Sequence, residues 1–198
     1  MIITEDYVKA IIEEVAPLVE KLSLLECDLI GSKIEFSYTM PKQTTMRYSP
    51  LTKSFILNKD FSNGNKEYFK LIIGHELMHN AQYCCFPNLV LKEWELPEYE
   101  IAYALYNKEI GNPIKKLTEG DAINIQKKLN KEYFKNAEYN TKDGSFASVQ
   151  NLKFKVYSEW GNILNEKFNG DREKINKLYT LSIDELISIF GTTRIIKE

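Results

Sequence analysis

The chain has 198 residues, enough for one domain that buries most of its apolar surface without disulfides or metal staples. Its 26 basic and 28 acidic side chains leave a formal net charge of -2, a balance that gives no footprint for nucleic acid or an anionic membrane. The cysteines Cys27, Cys84 and Cys85 are odd in number, two are adjacent and none has CxxC spacing; neither a disulfide framework nor a cysteine zinc knuckle follows, and they read as small buried apolar side chains.

Thr4 is a good N-cap, with Glu5 and Asp6 in the first turn that follows. Val8, Ile11, Ile12, Val15, Leu18, Val19 and Leu22 then recur at helical spacing, which predicts an amphipathic helix over 5–22. The run Lys-Ile-Glu-Phe-Ser-Tyr-Thr-Met at 33–40 alternates strictly, with Ile34, Phe36, Tyr38 and Met40 on one face, and predicts a strand ended by Pro41. Shorter strands are expected over 44–48 and 54–58, so the three form a small sheet.

Asn65 can cap a helix over 66–84 that is apolar on nearly every face and should run through the interior until Pro87 stops it. Pro97 opens a further helix to about Ile110, ended by Gly111. Thr118 can cap another over 119–131, with Leu117 and Ala122 as a hydrophobic staple and Asp121 completing a capping box. Residues 136–146 read as a loop, followed by helices near 146–168, 171–179 and 182–190. The fold class expected is therefore α+β: a small antiparallel or mixed sheet packed on a buried helix, with a mostly helical C-terminal half. The whole, 1–198, is read as one domain made of an N-terminal helix (1–30), a sheet and two helices (31–132) and a helical part (133–198). No run approaches the roughly 18 apolar residues of a membrane span. The first residues, Met1-Ile-Ile-Thr-Glu-Asp-Tyr7, carry no targeting pattern, so a cytoplasmic location is expected.

Both histidines of the chain fall in Gly74-His75-Glu76-Leu77-Met78-His79, an H-E-x-x-H run in the middle of the helix over 66–84. Histidines four apart share a helix face one turn apart, so His75 and His79 can close on one ion. Imidazole and carboxylate ligands with one open position suit a single Zn(2+). Glu76 leans toward that open position as a general base. A buried glutamate between two imidazoles is costly without a metal or another partner. With no third histidine, the third ligand must be acidic or a cysteine. Glu119, in Leu117-Thr-Glu-Gly-Asp-Ala122, is one candidate, with Gly120 allowing a close backbone approach and Asp121 able to accept from the free nitrogen of a ligating ring. Glu98 and Glu100 are the others. Tyr133, Tyr139, Tyr157 and Arg172 are candidate donors to an oxyanion.

His75-Glu-Leu-Met-His79 with Asn80-Ala81-Gln82, and then Thr118-Glu-Gly-Asp-Ala122, resembles the gluzincin type of zincin metallopeptidase, in which a glutamate on a second helix, often in an E-G-x-A run, completes the zinc site. The likeness is greater still to peptidases that read H-E-x-x-H-x-x-Q and then E-G-D-A. It covers roughly residues 33–130. It implies that Glu119 is the third ligand, and that the strand Phe55-Ile-Leu-Asn58 belongs to a sheet whose edge binds extended substrates. The expected function is that of a zinc metallopeptidase hydrolysing peptide bonds through a zinc-bound water activated by Glu76. Its partner is a peptide or protein substrate, added by β-augmentation to an exposed strand at 33–40 or 53–58. The alternative is a zincin-fold regulatory or structural protein that binds zinc without significant turnover.

Overall fold

A computed structural model describes residues 3–40, 44–59, 65–94, 113–137 and 147–190. Helix α1 (Glu5–Ser23) starts where the Thr4 hydroxyl accepts the Tyr7 N–H at 3.2 Å. Val8, Ile11, Ile12, Val15 and Val19 form its buried stripe, and the helix packs on the one over 66–85.

Three strands follow: β1 (Lys33–Ser37), β2 (Met46–Ser49) and β3 (Ser54–Asn58), in the spatial order β1-β3-β2. The sheet is mixed. β1 runs parallel to β3, with Ile34 opposite Phe55, while β2 runs antiparallel to it, with Tyr48 opposite Phe55. The alternation in 33–40 governs only its first half. Ile34 and Phe36 pack against the core, but the strand ends at Ser37 and Tyr38 is 74% exposed. There the Ser37 hydroxyl accepts the Thr39 N–H at 3.3 Å, a local bond that competes with the ladder. β3 is paired on both sides, so the segment 53–58 cannot accept an added strand; the sheet edges belong to β1 and β2.

Helix α2 (Lys66–Cys85) begins at Asn65, whose side chain accepts the Tyr68 N–H at 2.9 Å, and it ends just before Pro87. Residues Phe69–Gly74 and Glu76–Gln82 are buried, so α2 runs through the interior, touching α1, β2 and the helix over 113–132. A short helix, α3 (Asn88–Trp94), follows, which the sequence pattern did not indicate. The helix expected from Pro97 to Ile110 lies outside the described residues.

Helix α4 (Pro113–Glu132) starts earlier than the capping pattern at Thr118 suggests. Proline sits well in a first turn, where its missing N–H costs nothing. Ile114 and Leu117 are fully buried and extend the apolar face by more than a turn. Thr118 is therefore an interior helical residue, 1% exposed. The staple between Leu117 and Ala122 and the capping box at Asp121 do not form.

Helix α5 (Ala147–Phe168) crosses α4 at two glycines. A Cβ on Gly120 would lie 2.9 Å from the Gly161 nitrogen and from the Trp160 carbonyl carbon; one on Gly161 would lie 2.7 Å from the Gly120 oxygen. α6 (Arg172–Leu178) is capped by Asp171, and α7 (Ile183–Phe190) by Ser182, whose N–H and hydroxyl both donate to Glu185. Leu178, Tyr179, Leu186 and Phe190 join the same buried cluster as the apolar residues of α1, the sheet, α2 and α4.

The cysteines are less buried than their residue type suggests. Cys85 is exposed, Cys27 and Cys84 are half-buried, and all three are free thiols. Two of them sit on the last turn of α2, where it leaves the core. Among the described residues no helix is long and apolar enough to cross a membrane.

The α4–α5 crossing gives a direct test. Gly120→Ala adds about 1 kcal/mol of helix propensity, but its methyl group meets backbone rather than a flexible side-chain end. Overpacking of this kind costs about 1–3 kcal/mol. A lowered midpoint in urea unfolding is expected; an unchanged or raised midpoint would show that the two helices can separate freely.

Candidate metal centre

His75 and His79 lie one turn apart on α2 and face Glu119, which projects from the second turn of α4. Their rings meet edge to face with centroids 4.8 Å apart. The two Nε2 atoms are 3.1 Å apart, and Glu119 Oε2 lies 3.3 Å from that of His75 and 3.4 Å from that of His79. Bonds of about 2.0–2.1 Å to a tetrahedral ion place neighbouring ligand atoms about 3.3 Å apart. The three separations match that edge length.

The hydrogen bonding around these atoms is incomplete in the way a cation site requires. Glu119 Oε2 is buried and has no hydrogen-bond partner, although two ring nitrogens lie close to it. His79 Nδ1 is 2.8 Å from Gln82 Oε1, so it carries the proton and turns the Nε2 lone pair toward Glu119 and His75. The lone pairs of His79 Nε2 and Glu119 Oε2 therefore converge on one region with His75 Nε2. A single proton there satisfies one pair of them; a divalent cation satisfies all three. This donor set of two imidazoles and one carboxylate could hold a metal ion.

Asp121 does not take the role expected of it. Two positions beyond Glu119 on a helix means a turn of about 200° around the axis, so Asp121 faces away from the histidines. It is fully buried against Arg172, whose Nη1 and Nη2 both reach its carboxylate, the latter at 2.9 Å, and it accepts the Tyr179 hydroxyl at 2.6 Å. Gln82 holds the place beside His79 instead.

Glu76 lies on α2 toward the sheet. Its Oε2 accepts the Tyr48 N–H of β2 at 2.7 Å, a donor left over at the sheet edge. Burial pushes its carboxyl above the usual range, as does the negative charge of Glu119, while His75, His79 and the Tyr48 N–H pull it back down; the net direction is up. A carboxyl raised in this way holds a proton more readily than a solvated one. Burial disfavours the charged His79 ring, but Glu119, helped by Glu76 and Gln82, outweighs it and raises the group to about 9. For Glu119 itself burial acts upward, and His79 and His75 together outweigh that and hold the carboxyl well below its ordinary value.

The remaining candidates separate. Glu98, Glu100 and Tyr139 lie outside the described residues. Tyr133 accepts from Lys21 Nζ at 3.2 Å, and Arg172 is committed to Asp121, so neither faces the histidines. Tyr157 is different: it lies one turn before Gly161 on α5. Burial and the charges of Glu119, Glu76 and Glu93 push its hydroxyl well up, which keeps it a neutral donor. Beside His79, Tyr83 donates to Glu93 Oε2 at 2.5 Å, and Glu93 Oε1 pairs with Lys115 at 3.1 Å. Sequence reasoning assigned no role to Gln82, Tyr179 or Glu93. Gln82 carried a usable signal, since the third position after a helical histidine shares its face.

No family model, no curated protein and no solved structure matches the chain.

A metal ion held here would compete with a proton on the raised His79. A ligating imidazole must be neutral, so any apparent affinity for added Zn(2+) should climb with pH and level off above about 9, where the ring has lost its proton. Competition with a chromophoric chelator between about pH 6 and about pH 10 measures this. An affinity flat across that interval would contradict the placement of the proton on His79.

Proposed function

We propose that the protein is a zinc-dependent hydrolase of peptide bonds, organised like the gluzincin zincins, with His75, His79 and Glu119 as the metal ligands and Glu76 as the general base. The observation that carries this reading is the convergence of His75 Nε2, His79 Nε2 and Glu119 Oε2 at 3.1–3.4 Å, with a buried Glu76 next to His75 on α2. Support comes also from the E-G-D-A run, in which Glu119 faces the histidines while Gly120 admits α5.

A zinc ion at this site supplies Lewis acidity toward a carbonyl oxygen and lowers the pKa of water toward about 7. The protein's own groups supply the rest. Tyr48 holds Glu76 Oε2, which leaves Oε1 to take a proton from the attacking water and deliver it to the leaving amine nitrogen. The charge that develops on the carbonyl oxygen needs a hydrogen-bond donor. Among the four candidates from the sequence, Tyr157 is the described one whose hydroxyl lies in the field of both Glu76 and Glu119. The incoming chain is an extended peptide, and a cytoplasmic location remains part of this proposal.

Three substitutions test it. Glu76→Gln should retain zinc and lose about 10²–10⁴-fold in peptide hydrolysis. Glu119→Ala should lose the metal itself, read by metal content after dialysis. If Glu119→Ala keeps its ion, the third ligand lies elsewhere, with Glu98 and Glu100 next in line. Tyr157→Phe should keep zinc and slow turnover by about 10²-fold. Wild-type protein that binds zinc but cleaves nothing in a peptide-library digest would favour the regulatory reading.

A further inference from the structure

Behind His79 lies a buried chain of polar side chains that crosses from the metal site to the C-terminal helices. Gln82 Oε1 faces His79 Nδ1 at 2.8 Å. Gln82 Nε2 donates to the Thr118 carbonyl at 3.0 Å and to the Tyr179 hydroxyl at 2.9 Å. Tyr179 donates to Asp121, and Asp121 is gripped by both terminal nitrogens of Arg172. Arg172 Nε and Asn176 Nδ2 both donate to the Ser23 carbonyl at the end of α1, at 3.3 and 3.0 Å. Gln82 and Asp121 are fully buried, and Tyr179 is 2% exposed.

Each link in this chain has one permitted direction. A guanidinium only donates, and a carboxylate paired with it only accepts. Tyr179 must therefore spend its single hydrogen on Asp121. Its oxygen can then only accept from Gln82. The Thr118 carbonyl also only accepts, so two independent partners require the nitrogen of the Gln82 amide on their side. The amide oxygen is thereby forced toward His79, whose Nδ1 must carry the hydrogen. A neutral imidazole protonated on Nδ1 presents its lone pair on Nε2, the atom that faces Glu119 and His75.

We propose that Gln82, oriented by Tyr179 and Asp121, is a positioning residue that fixes the tautomer and ring angle of His79, so that residues of the C-terminal helices set the affinity of the metal site. This inference rests on the metal reading above. It also gives a role to Arg172 and Tyr179, which lie far from the H-E-x-x-H helix in sequence. Partners of this kind behind a ligating histidine change metal affinity by about 10–100-fold when removed.

The experiment measures zinc affinity by chelator competition in wild type, Gln82→Leu, Gln82→Glu and Tyr179→Phe. It is combined with ¹⁵N–¹H spectra of the zinc-loaded proteins, in which the chain's two histidines can be told apart by substitution. Wild type should show His79 bound through Nε2, with a slowly exchanging Nδ1 proton. Gln82→Leu should bind zinc about 10–100-fold more weakly and lose protection of that proton. Gln82→Glu keeps an oxygen opposite Nδ1 but sets its second oxygen against the Thr118 carbonyl and the Tyr179 oxygen, which only accept, so it should recover the affinity only in part. Tyr179→Phe removes one oxygen without changing the packed ring and should weaken binding several-fold, which keeps the test decisive if Gln82→Leu does not fold. Equal affinities in wild type, Gln82→Leu and Tyr179→Phe, with the Nδ1 proton unchanged, overturn the positioning role and leave the metal reading intact. A wild-type protein with no zinc affinity overturns both.

Discussion

Glu119 reaches the two histidines because α4 is held close between α2 and α5, and the closeness on each side depends on a residue without a side chain. Leu129 of α4 packs into the space over Gly74, immediately before His75; a Cβ there would lie 2.3 Å from its Cδ1. On the other side, Gly120 lies against the backbone of Gly161. The two glycines are the chain neighbours of His75 and Glu119. Small residues that admit a packed neighbour thus bear directly on where the functional groups sit. A core packed to crystal-like density transmits a displacement of one helix to the next, so a shift of α4 would reach the distance between Glu119 Oε2 and the imidazoles.

Charge distribution reinforces this geometry. Burying Glu119 and Glu76 together is unfavourable for two carboxylates. The imidazoles offset part of the cost, and a cation would offset more. The second buried acid of the same helix, Asp121, is neutralised separately by Arg172, so α4 presents one carboxylate to each side and the two do not compete for the same partner. A buried ion pair is weak grounds for inferring net stability, because desolvation opposes the Coulombic gain. Its value here lies in direction: it fixes which groups donate and which accept, and that order propagates to His79.

What could be read from the sequence was local. The caps at Thr4 and Asn65, the stripe of α1 and the all-round apolar character of α2 follow from spacing within one element, and the structure shows each of them. The H-E-x-x-H run is of the same kind, since i and i+4 on one helix need no tertiary information to face together. The start of α4 was misplaced because Thr118 carries a good local capping pattern, and burial of Ile114 and Leu117 overrides it. Asp121 was misassigned for the same reason: its true partners, Arg172 and Tyr179, lie more than fifty positions along the chain. The central position of β3 was missed, since 53–58 was expected to be an exposed strand. Phe55-Ile-Leu is a continuous apolar run without alternation, as expected of a strand covered on both faces, whereas strand order itself depends on pairing that spacing does not encode.

The sheet has a further bearing on the chemistry through register. Tyr48 N–H reaches Glu76 only while Tyr48 stands opposite Phe55 on β3; successive residues of a strand point their N–H groups to opposite edges. A slip of one residue would turn the Tyr48 donor into the sheet and leave Glu76 Oε2 without it. Packing of the Tyr48 and Phe55 rings, with centroids 5.0 Å apart and both side chains buried, holds the register. Without this bond, burial would act on Glu76 less opposed, and its carboxyl would move further up, toward a form that is already protonated and cannot accept. The bond thus tempers the rise in proton affinity while leaving one oxygen available. An aromatic pair in a three-stranded sheet therefore helps set the proton-accepting capacity of a residue on the neighbouring helix.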